Sequence, residues 1–345
     1  MTEDIKKILI LRLSSLGDIA LTTPVIKAVK LKFPQAKIFF LTKSKYAPLL
    51  VKDPNLVGII EFNKDKAGGL FGTLQRIRNE RFDLVIDLHS NLRSFFLRNF
   101  SKAKLKLKYN KRWLSRFIMV HFKKIKISPQ HTVDSYLDCL KKIDIYSADK
   151  IPRLYVDEQS KKSIGKFIKN ISEDEILIGI VPGAKWESKR WGEANFAETI
   201  KILNNKIKAK FALIGGKEDE ELIKNLKQLT GNIEFIEAVD LPFSELLALI
   251  GNCRIVLTND SGPMHLAVGL NVPVVAIFGP THPKLGFAPL GKKDLILCAD
   301  VECSPCSLHG ERKCYKESKI CMEKITPETV ADKAMEILKN KEKIW

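Results

Sequence analysis

The sequence predicts an α/β fold with two doubly wound, Rossmann-like domains built on parallel sheets. Short apolar runs rich in β-branched residues alternate with longer helical stretches in both halves of the chain. Runs such as ILIGIV and VPVVAIF are apolar throughout, which is typical of parallel strands covered by helices on both faces. The chain has 345 residues, which suits two domains of about 150 to 200 residues each.

The predicted elements follow one another in strand–helix order. In the first half, strands are predicted at residues 7–13, 37–41, 57–62 and 83–88, and helices at 19–32, 70–78, 90–100 and 133–142. In the second half, strands are predicted at residues 176–181, 210–214, 233–236, 254–257 and 272–278, and helices at 193–203, 218–229, 243–250 and 263–268. A last helix is predicted at 327–339, because Thr326 can cap it and Pro327 suits its first turn.

The domain boundary is predicted in the polar stretch 157–175, which contains few strand-forming residues. We therefore expect an N-terminal domain at residues 1–165 and a C-terminal domain at 166–326, with the last helix in 327–345.

The charge is distributed very unevenly. The chain has 58 Lys and Arg against 40 Asp and Glu, a net charge of +18. Residues 1–133 contain 27 basic and 9 acidic residues, and residues 88–133 contain 12 basic residues and no acidic one. The N-terminal half is expected to bind a polyanion, which can be nucleic acid, an anionic membrane surface, or a phosphorylated or acidic substrate. A solvated basic face that aids solubility is the alternative.

Composition excludes several classes of protein. Apolar residues make up 45% and charged residues 28% of the chain, which is typical of a globular protein. No run approaches about 18 consecutive apolar residues, so no transmembrane helix is expected. The N-terminus begins with acidic residues and a short apolar run, unlike a secretory signal, so a cytoplasmic chain is expected. Seven cysteines, an odd number, do not indicate a secreted disulfide scaffold.

Ligands of open α/β sheets bind beyond the carboxyl ends of the strands, so polar clusters there are candidate sites. The first cluster, RLSSLGD at residues 12–18, follows the first strand. Gly17 permits a tight turn, and Asp18 can accept a proton from a substrate hydroxyl or simply cap the next helix. The cluster is neither a dinucleotide fingerprint nor a Walker A loop, which disfavours nicotinamide cofactors and P-loop chemistry.

The second cluster is the loop PGAKWESKRW at residues 182–191, after the first strand of the second half. It carries Lys185, Lys189 and Arg190 between two tryptophans. Cations on a glycine-containing loop that leads into a helix suit a phosphate or pyrophosphate. An ordinary surface loop is the alternative, although tryptophans are costly in such a loop.

The third cluster, TNDSGPMH at residues 258–265, predicts the start of a helix capped by Asp260 or Ser261. Gly262 lets the backbone approach a ligand, and His265 follows Ser261 by one helical turn. The start of a helix favours an anion. A well-capped helix with a core histidine is the alternative.

Weaker clusters end other strands. Glu218 or Asp219 can present a carboxylate to a ribose hydroxyl, although an exposed acidic helix start explains them equally well. Asp87 and His89 follow the fourth strand and are candidate contacts of an acceptor.

Cys303, Cys306, Cys314 and Cys321 have the spacing C-x2-C-x7-C-x6-C, which is compatible with tetrahedral zinc. The last two cysteines lack the paired spacing of common zinc sites, so we favour a reduced structural cluster without metal. Any metal here would be structural, and no cofactor is expected.

Three segments together resemble glycosyltransferase family 9, namely ILILRLSSLGDIALTTPVIKAVK, PGAKWESKRWGEANFAE and LTNDSGPMHLAVGLNVPVVAIFGPTHP. The best-known members are ADP-heptose:lipopolysaccharide heptosyltransferases of the bacterial inner core, and the cysteine segment is more similar to the second of these than to the first. The resemblance covers nearly the whole chain. It implies a GT-B fold, in which two Rossmann-like domains face each other across a cleft and residues 327–345 cross back to the N-terminal domain.

The resemblance also implies residue roles. Asp18 matches the proposed catalytic base for inverting attack by an acceptor hydroxyl, and Lys189 matches the lysine that neutralises the donor phosphates. With the clusters above, the predicted donor-binding residues are Lys185, Lys189, Glu218, Asp260, Ser261, Gly262 and His265. The predicted acceptor-binding residues are Ser15, Gly17, Asp87, His89, Arg93, Lys111 and Arg112.

The implied partners are ADP-heptose as donor and an anionic glycolipid, Kdo-lipid A or its heptosylated form, as acceptor. A diphosphate leaving group needs positive charge, which a lysine and a helix N-terminus supply without a divalent metal. Residues 93–126 interleave aromatic side chains with cations, which is typical of a protein bound to an anionic membrane surface. We therefore predict a peripheral enzyme on the inner face of the inner membrane, with no nucleic acid partner.

Other functions stay open. An RNA-binding protein would use the same basic, aromatic segment, but no RRM, KH or OB signature is present. An epimerase or dehydrogenase would need a glycine-rich dinucleotide fingerprint, which the first strand lacks. A non-catalytic nucleotide-sugar-binding protein, and a family 9 enzyme with another donor or acceptor, are further alternatives.

Overall fold

The computed structural model describes residues 5–63, 68–122, 125, 127–316 and 318–339. Residues 340–345 of the predicted C-terminal segment and Lys123, Lys124 and Lys126 of the basic segment lie outside these ranges. Packing divides the chain into two compact units. The first contains Met1–Arg112 and Gln130–Tyr155, and the second contains Trp113–Pro129 and Val156–Trp345. The division into domains at residues 165 and 326 stays a prediction.

The strands of the first unit are β1 (Lys7–Leu11), β2 (Lys37–Lys43), β3 (Gly58–Phe62), β4 (Leu84–Asp87) and β5 (Leu105–Lys108). In the described residues they form one parallel sheet with the order β3-β2-β1-β4-β5. The strand order reverses between β1 and β4, which is the topological switch point of a doubly wound fold. Leu11 pairs with Asp87 in the register of these two strands, so their carboxyl ends lie side by side.

The helices up to residue 155 are α1 (Leu16–Ala20), α2 (Thr23–Lys32), α3 (Gly69–Glu80), α4 (Leu92–Phe100), α5 (Trp113–His121) and α6 (Thr132–Asp138). The single helix predicted at 19–32 is two helices. Pro24 lies at the start of α2. Because proline has no amide proton and restricts the residue before it, it begins a new helix more readily than it continues one.

The strands of the second unit are β6 (Ile176–Val181), β7 (Ala209–Gly215), β8 (Phe235–Val239), β9 (Ile255–Asn259), β10 (Val274–Phe278) and β11 (Leu295–Cys298). They form a parallel sheet of six strands among the described residues, with the order β11-β10-β9-β6-β7-β8. This is the strand order of a Rossmann fold, and its switch point lies between β6 and β9.

The remaining helices are α7 (Glu158–Ile168), α8 (Glu193–Lys206), α9 (Glu220–Thr230), α10 (Phe243–Asn252), α11 (Gly262–Gly269), α12 (Ile320–Glu323) and α13 (Pro327–Lys339). The polar stretch predicted as a boundary therefore contains a helix, whose N-terminus is capped by Asp157 through the amide of Ser160 at 2.7 Å. The buried face of α13 belongs to the core of the second unit.

The predicted fold class is confirmed, since both units are doubly wound parallel sheets. Two strands, β5 and β11, and three helices, α5, α7 and α12, were not predicted. Within the described ranges, no helix combines the length and the apolarity that a membrane span requires.

Candidate active site

Asp18 lies just beyond the carboxyl end of β1, in the short helix α1. Its Oδ2 accepts hydrogen bonds from the amide and the hydroxyl of Ser15, at 3.1 and 2.6 Å, and lies 2.8 Å from Nη2 of Arg12. The Asp18 side chain is 19% exposed. In the described part of the chain these contacts all engage Oδ2, so Oδ1 is the carboxylate oxygen available to a ligand. Gly17 is buried in the same turn.

Arg12 is the residue of this site that sequence reasoning missed. It is 7% exposed, and its guanidinium donates to the carbonyl oxygens of Ser14 at 2.6 Å and Leu88 at 2.5 Å. It thereby links the turns that follow β1 and β4. The sequence contains a signal for this role. An arginine directly after an apolar strand is expected to be buried only when it is paired, so Arg12 indicates an acidic partner nearby.

The ion pair controls the protonation of Asp18. Burial disfavours the charged carboxylate, but the charge of Arg12, followed by the hydrogen bonds of Ser15, outweighs burial and lowers the pKa of Asp18 to about 2. In the same way, Asp18 outweighs the burial of Arg12 and raises its pKa. Both groups are therefore charged at neutral pH.

The turn after β4 buries Asp87. This residue is 0% exposed. Its Oδ1 accepts hydrogen bonds from the amides of His89 and Ser90, at 2.9 and 2.8 Å, and its Oδ2 lies 3.0 Å from Nη1 of Arg98. With both oxygens occupied and no exposed surface, Asp87 shapes the turn and is not placed to contact a ligand directly.

His89 projects from this turn and is half-buried. Burial, followed by the positive charges of Arg12 and Lys111, lowers the pKa of His89 to about 3, so its imidazole is neutral. Its Nδ1 is buried and has no hydrogen-bond partner among the described residues.

A cavity of about 970 Å³ lies next to this turn in the first unit, and we call it the acceptor cavity because the predicted acceptor contacts Lys111 and Arg112 line it. Its charged wall consists of Arg98, Lys108, Lys111, Arg112, Asp138 and Lys142. Arg112 donates from Nη1 to Oε1 of Gln130 at 2.7 Å, which holds one side of the wall. Burial, followed by the charge of Arg12, lowers the pKa of Lys111. The predicted contact Arg93 is exposed on α4 and does not line the cavity.

In the second unit, the switch point brings together Lys189 and Asp260. Nζ of Lys189 lies 2.6 Å from Oδ2 of Asp260, and the hydroxyl of Thr281 donates to the same oxygen at 2.6 Å. The two charged side chains are 14% and 9% exposed. Thr281 was not predicted, although a polar residue shortly after the buried strand β10 is the same kind of signal as the other clusters.

The start of α11 differs from its predicted capping. Ser261 occupies the N-cap position, but its hydroxyl lies 3.2 Å from Oγ1 of Thr258 and caps no amide of the helix. Asp260 is engaged elsewhere, so neither predicted cap is formed. The amides that begin at Gly262 are therefore suited to bind an anionic group. His265 is 5% exposed, inside the helix.

Asn259, at the end of β9, holds the loop that carries Lys189. Its Nδ2 donates to the carbonyl of Pro182 at 2.8 Å, and its Oδ1 accepts from the amide of Trp191 at 3.2 Å. The other predicted lysine of this loop, Lys185, is exposed, with Nζ 5.2 Å from the ring centroid of Trp186. The loop is therefore fixed at both ends, and one of its two lysines, Lys189, is held by Asp260.

The structure separates the two candidates for the ribose contact. Asp219 is 8% exposed, and its carboxylate accepts a hydrogen bond from the amide of Gly216 at 3.1 Å and lies 3.4 Å from Nη2 of Arg190. Burial raises its pKa despite these contacts. Glu218 is exposed beside it. Asp219 thus stabilises the turn, and Glu218 is the carboxylate available to a ligand.

The cysteine segment forms a wall against Lys189. The hydroxyl of Ser188 donates to the carbonyl oxygen of Gly310. A Cβ atom on Gly310 would lie 2.7 Å from Cγ of Lys189. The backbone at Gly310 therefore touches the lysine side chain directly, which sequence reasoning did not anticipate.

The cysteines themselves are free thiols. Burial, followed by the charges of Cys303, Cys306 and Cys314, raises the pKa of Cys321 to about 11. Across the described part of the chain, no group of three or more His, Cys, Asp or Glu side chains is arranged to hold a metal ion. The choice between a reduced cluster and zinc stays a prediction.

Two doubly wound units, each with charged side chains at the switch point of its sheet, define a two-domain α/β transferase of the GT-B class. Residues 71–316 match glycosyltransferase family 9 (heptosyltransferase), and the chain belongs to this family. The predicted family and the predicted enzyme class, a glycosyltransferase, are both confirmed.

Relatives and solved structures match the chain from end to end. The chain is 28% identical to lipooligosaccharide heptosyltransferase 2 of Haemophilus influenzae, over 96% of this chain and 99% of the relative. It is 29% identical to lipooligosaccharide heptosyltransferase 2 of Campylobacter jejuni, over 94% and 96% of the two chains. The fold is that of a family 9 glycosyltransferase from Veillonella parvula, with a TM-score of 0.82, 24% identity and coverage of 99% of both chains. It is also that of E. coli ADP-heptose LPS heptosyltransferase II, with a TM-score of 0.75, 21% identity and coverage of 98% and 100%.

Proposed function

We propose that this protein is an inverting heptosyltransferase that moves heptose from ADP-heptose to the inner core of lipopolysaccharide. One observation carries the choice of sugar and acceptor, namely the match along 96% of the chain to a lipooligosaccharide heptosyltransferase. The charged groups at the two switch points fit this reaction. It needs a base for a sugar hydroxyl and positive charge for a diphosphate leaving group.

Asp18 acts as the general base in this proposal. Its carboxylate is ionised at neutral pH, and Arg12 and Ser15 hold only its Oδ2. An acceptor hydroxyl that donates to Oδ1 attacks the anomeric carbon from the side opposite the nucleotide, which inverts the configuration. The proton passes to Asp18 as the new bond forms.

Lys189 and the start of α11 stabilise the leaving group. Asp260 neutralises Lys189 at 2.6 Å. A donor diphosphate competes with Asp260 for this ammonium group and accepts hydrogen bonds from the uncapped amides near Gly262. These groups balance the charge that develops on ADP, so the mechanism requires no divalent metal. Glu218 binds the ribose.

The acceptor cavity binds the anionic glycan. Its cations, including Lys111 and Arg112, are suited to the carboxylates and phosphates of Kdo-lipid A or its heptosylated form. Because this acceptor is anchored in lipid, we place the enzyme peripherally on the inner face of the inner membrane, where the basic first 133 residues meet anionic headgroups.

Release of ADP from ADP-heptose by the purified protein tests the proposal, with Kdo-lipid A and mono-heptosylated Kdo-lipid A as alternative acceptors. We expect ADP release that depends on one of the two acceptors, which also identifies the step in core assembly. Binding of ADP-heptose without release on either acceptor would mean another acceptor. A protein that does not bind ADP-heptose at all would contradict the proposed donor.

A non-catalytic sugar-nucleotide-binding protein is separated from the enzyme by Asp18→Asn. The substitution keeps the size of the side chain and removes the base, so we expect transfer to fall roughly 100- to 10,000-fold while the affinity for ADP-heptose is kept. Equal transfer by the variant would remove Asp18 from the mechanism.

A further inference from the structure

Helix α4 exposes its aromatic side, and two of its three buried residues are polar. Its buried residues are Ser94, Leu97 and Arg98. Its exposed apolar residues are Leu92 at 88%, Phe95 at 53% and Phe100 at 49%. Residues three and four positions apart lie on the same side of a helix, so these side chains form one stripe with Phe96. An apolar stripe that faces solvent marks an interaction surface.

Helix α3 extends this stripe. Phe71 is 72% exposed, and its ring centroid lies 5.5 Å from that of Phe96. The ring of Phe96 lies 4.9 Å from that of Phe100 and packs against the core of the first unit. We call Phe71, Leu92, Phe95, Phe96 and Phe100 the α3–α4 face. Because Phe96 packs against the core of the first unit, the α3–α4 face has a fixed position.

A basic cavity of about 690 Å³ adjoins the α3–α4 face. Its cations are Arg78, Arg81, Lys102 and Lys104. Nε of Arg78 donates to the carbonyl oxygen of Phe100 at 2.9 Å, so the cavity begins where the aromatic stripe ends. None of the four cations has an ion-pair partner among the described residues.

Among the described residues that line this cavity, the acidic one is Asp83. Its Oδ2 accepts hydrogen bonds from the amides of Lys6 and Lys7, both at 3.0 Å, so it is engaged by the backbone. The cavity therefore has uncompensated positive charge next to an exposed apolar surface.

We propose that the α3–α4 face and the basic cavity dock the protein on an anionic phospholipid bilayer. The aromatic and leucine side chains enter the interface, and the four cations meet lipid phosphates. Charge complementarity supports this partner, since residues 88–133 contain 12 basic residues and no acidic one. A second copy of the chain fits less well, because a symmetric contact would bring two positive cavities together.

The docked bilayer would lie close to the acceptor cavity. Leu92 and Phe95, at the start of α4, also line that cavity, whereas Phe100 is at the far end of the helix. The nine residues of α4 span about 14 Å. A lipid surface along α4 therefore presents the glycan of a membrane-anchored acceptor to the acceptor cavity, and only this consequence rests on the proposed function.

Cosedimentation with phosphatidylglycerol vesicles tests the proposal, with phosphatidylcholine vesicles as the neutral comparison. We expect the wild-type protein to bind only the anionic vesicles. The double variant Phe71→Ser/Phe100→Ser should bind them roughly tenfold more weakly. Lys102→Asn/Lys104→Gln should bind roughly 30-fold more weakly. Asparagine is chosen at position 102 because Lys102 has φ of 64°, which asparagine tolerates.

Matched controls change the same chemistry elsewhere on the first unit. Leu31→Ser/Val51→Ser removes two apolar side chains that are 72% and 59% exposed. Lys32→Gln/Lys37→Gln removes two exposed lysines. Both controls should bind anionic vesicles as the wild type does, and circular dichroism confirms that every variant is folded.

Anionic vesicle binding that is equally strong in the test variants and the controls would overturn the proposal. So would a wild-type dimer that Phe71→Ser/Phe100→Ser dissociates in analytical ultracentrifugation, since a second copy would then cover the face. Transfer to a deacylated, water-soluble acceptor separates this inference from the proposed function. The docking variants should transfer heptose to the deacylated acceptor as fast as the wild type does. If the proposed function is wrong, the wild type itself should not transfer heptose to this acceptor, although it still binds anionic vesicles.

Discussion

The pair formed by Arg12 and Asp18 decides how the first unit can assist a reaction. A carboxylate with a pKa of about 2 is a weak base toward a free hydroxyl. An oxygen that is bonding to an anomeric carbon becomes strongly acidic, so a weak base can accept its proton late in the reaction. In the proposed reaction, Arg12 thus keeps Asp18 charged, and proton transfer depends on bond formation.

Removing the charge of Arg12 should move the pH dependence of the enzyme. Burial raises the pKa of Asp18, and the charge of Arg12 is the largest effect that lowers it. Without the guanidinium, the pKa of Asp18 therefore rises. We expect the acidic limb of the kcat/KM profile of Arg12→Met to move to higher pH than that of the wild type. A pH series of ADP release measures this shift.

Arg12→Lys serves as the control for this experiment. It keeps a positive charge near Asp18, so its acidic limb should lie between those of the wild type and Arg12→Met. If all three proteins share one acidic limb, Asp18 is not the group that titrates.

Lys189 is the corresponding single residue of the second unit. Lys189→Met removes the cation that we assign to the leaving group, so kcat should fall roughly 100- to 1,000-fold. Lys201→Met, on the exposed side of α8, is the control and should stay near wild-type activity. Steady-state ADP release measures both variants, and retention of more than about a tenth of kcat by Lys189→Met would contradict the assignment.

Single residues also mark the limit of what the sequence predicts about the site. Asp18, Lys189 and Asp260 were found because they follow apolar strands, a signal that depends only on local pattern. Their actual partners were not found, since Arg12 and Thr281 reach them through contacts that only the folded sheet creates.

At the level of elements, the segment around Gly310 links the cysteine region to Lys189 of the proposed donor site. Gly310 has φ of 88°, and a Cβ atom there would meet Lys189. Gly310→Ala should therefore displace the lysine and reduce transfer roughly 10- to 100-fold, since small misplacements of a catalytic group are costly. Donor KM and kcat from ADP release measure the effect.

Gly231→Ala is the matched control for backbone strain. Gly231 also has a positive φ, 69°, but nothing lies within 4 Å of the position of its Cβ. Both variants should lose about 1–3 kcal/mol of unfolding free energy, and only Gly310→Ala should lose activity. Equal activity of the two variants would show that the contact with Lys189 has no role.

Secondary structure was predictable where a strand is buried on both faces. β6 has the predicted bounds, because a continuous apolar run leaves no other interpretation. β5 was missed because its sequence, LKLK, is short and half lysine. Helix α7 was missed because a polar stretch was interpreted as a boundary, although Asp157 is a good N-cap.

At the scale of the whole molecule, both sheets have an ion pair near the switch point, Arg12–Asp18 in the first unit and Lys189–Asp260 in the second. The two units nevertheless differ in net charge. The two-unit organisation was predictable from length and alternation alone. The membership of residues 113–129 in the second unit was not, since only long-range packing decides it.

The charge asymmetry predicts different salt responses for the two substrates. Residues 1–133 hold the entire net charge of +18, whereas residues 134–345 contain 31 basic and 31 acidic residues. Between about 0.01 and 1 M salt the Debye length falls from about 30 to about 3 Å. The KM for a deacylated acceptor should therefore rise more steeply with salt than the KM for ADP-heptose. Parallel salt dependences would contradict the binding of the acceptor by the basic unit.

The structure of the product tests the central claim most directly. We would incubate the protein with ADP-heptose and the acceptor that supports ADP release, and then determine the mass and the anomeric configuration of the product by mass spectrometry and NMR. Our account predicts one added heptose, linked with a configuration opposite to that of the donor. A product with retained configuration, or ADP release that adds no heptose to the acceptor, would contradict direct displacement assisted by Asp18.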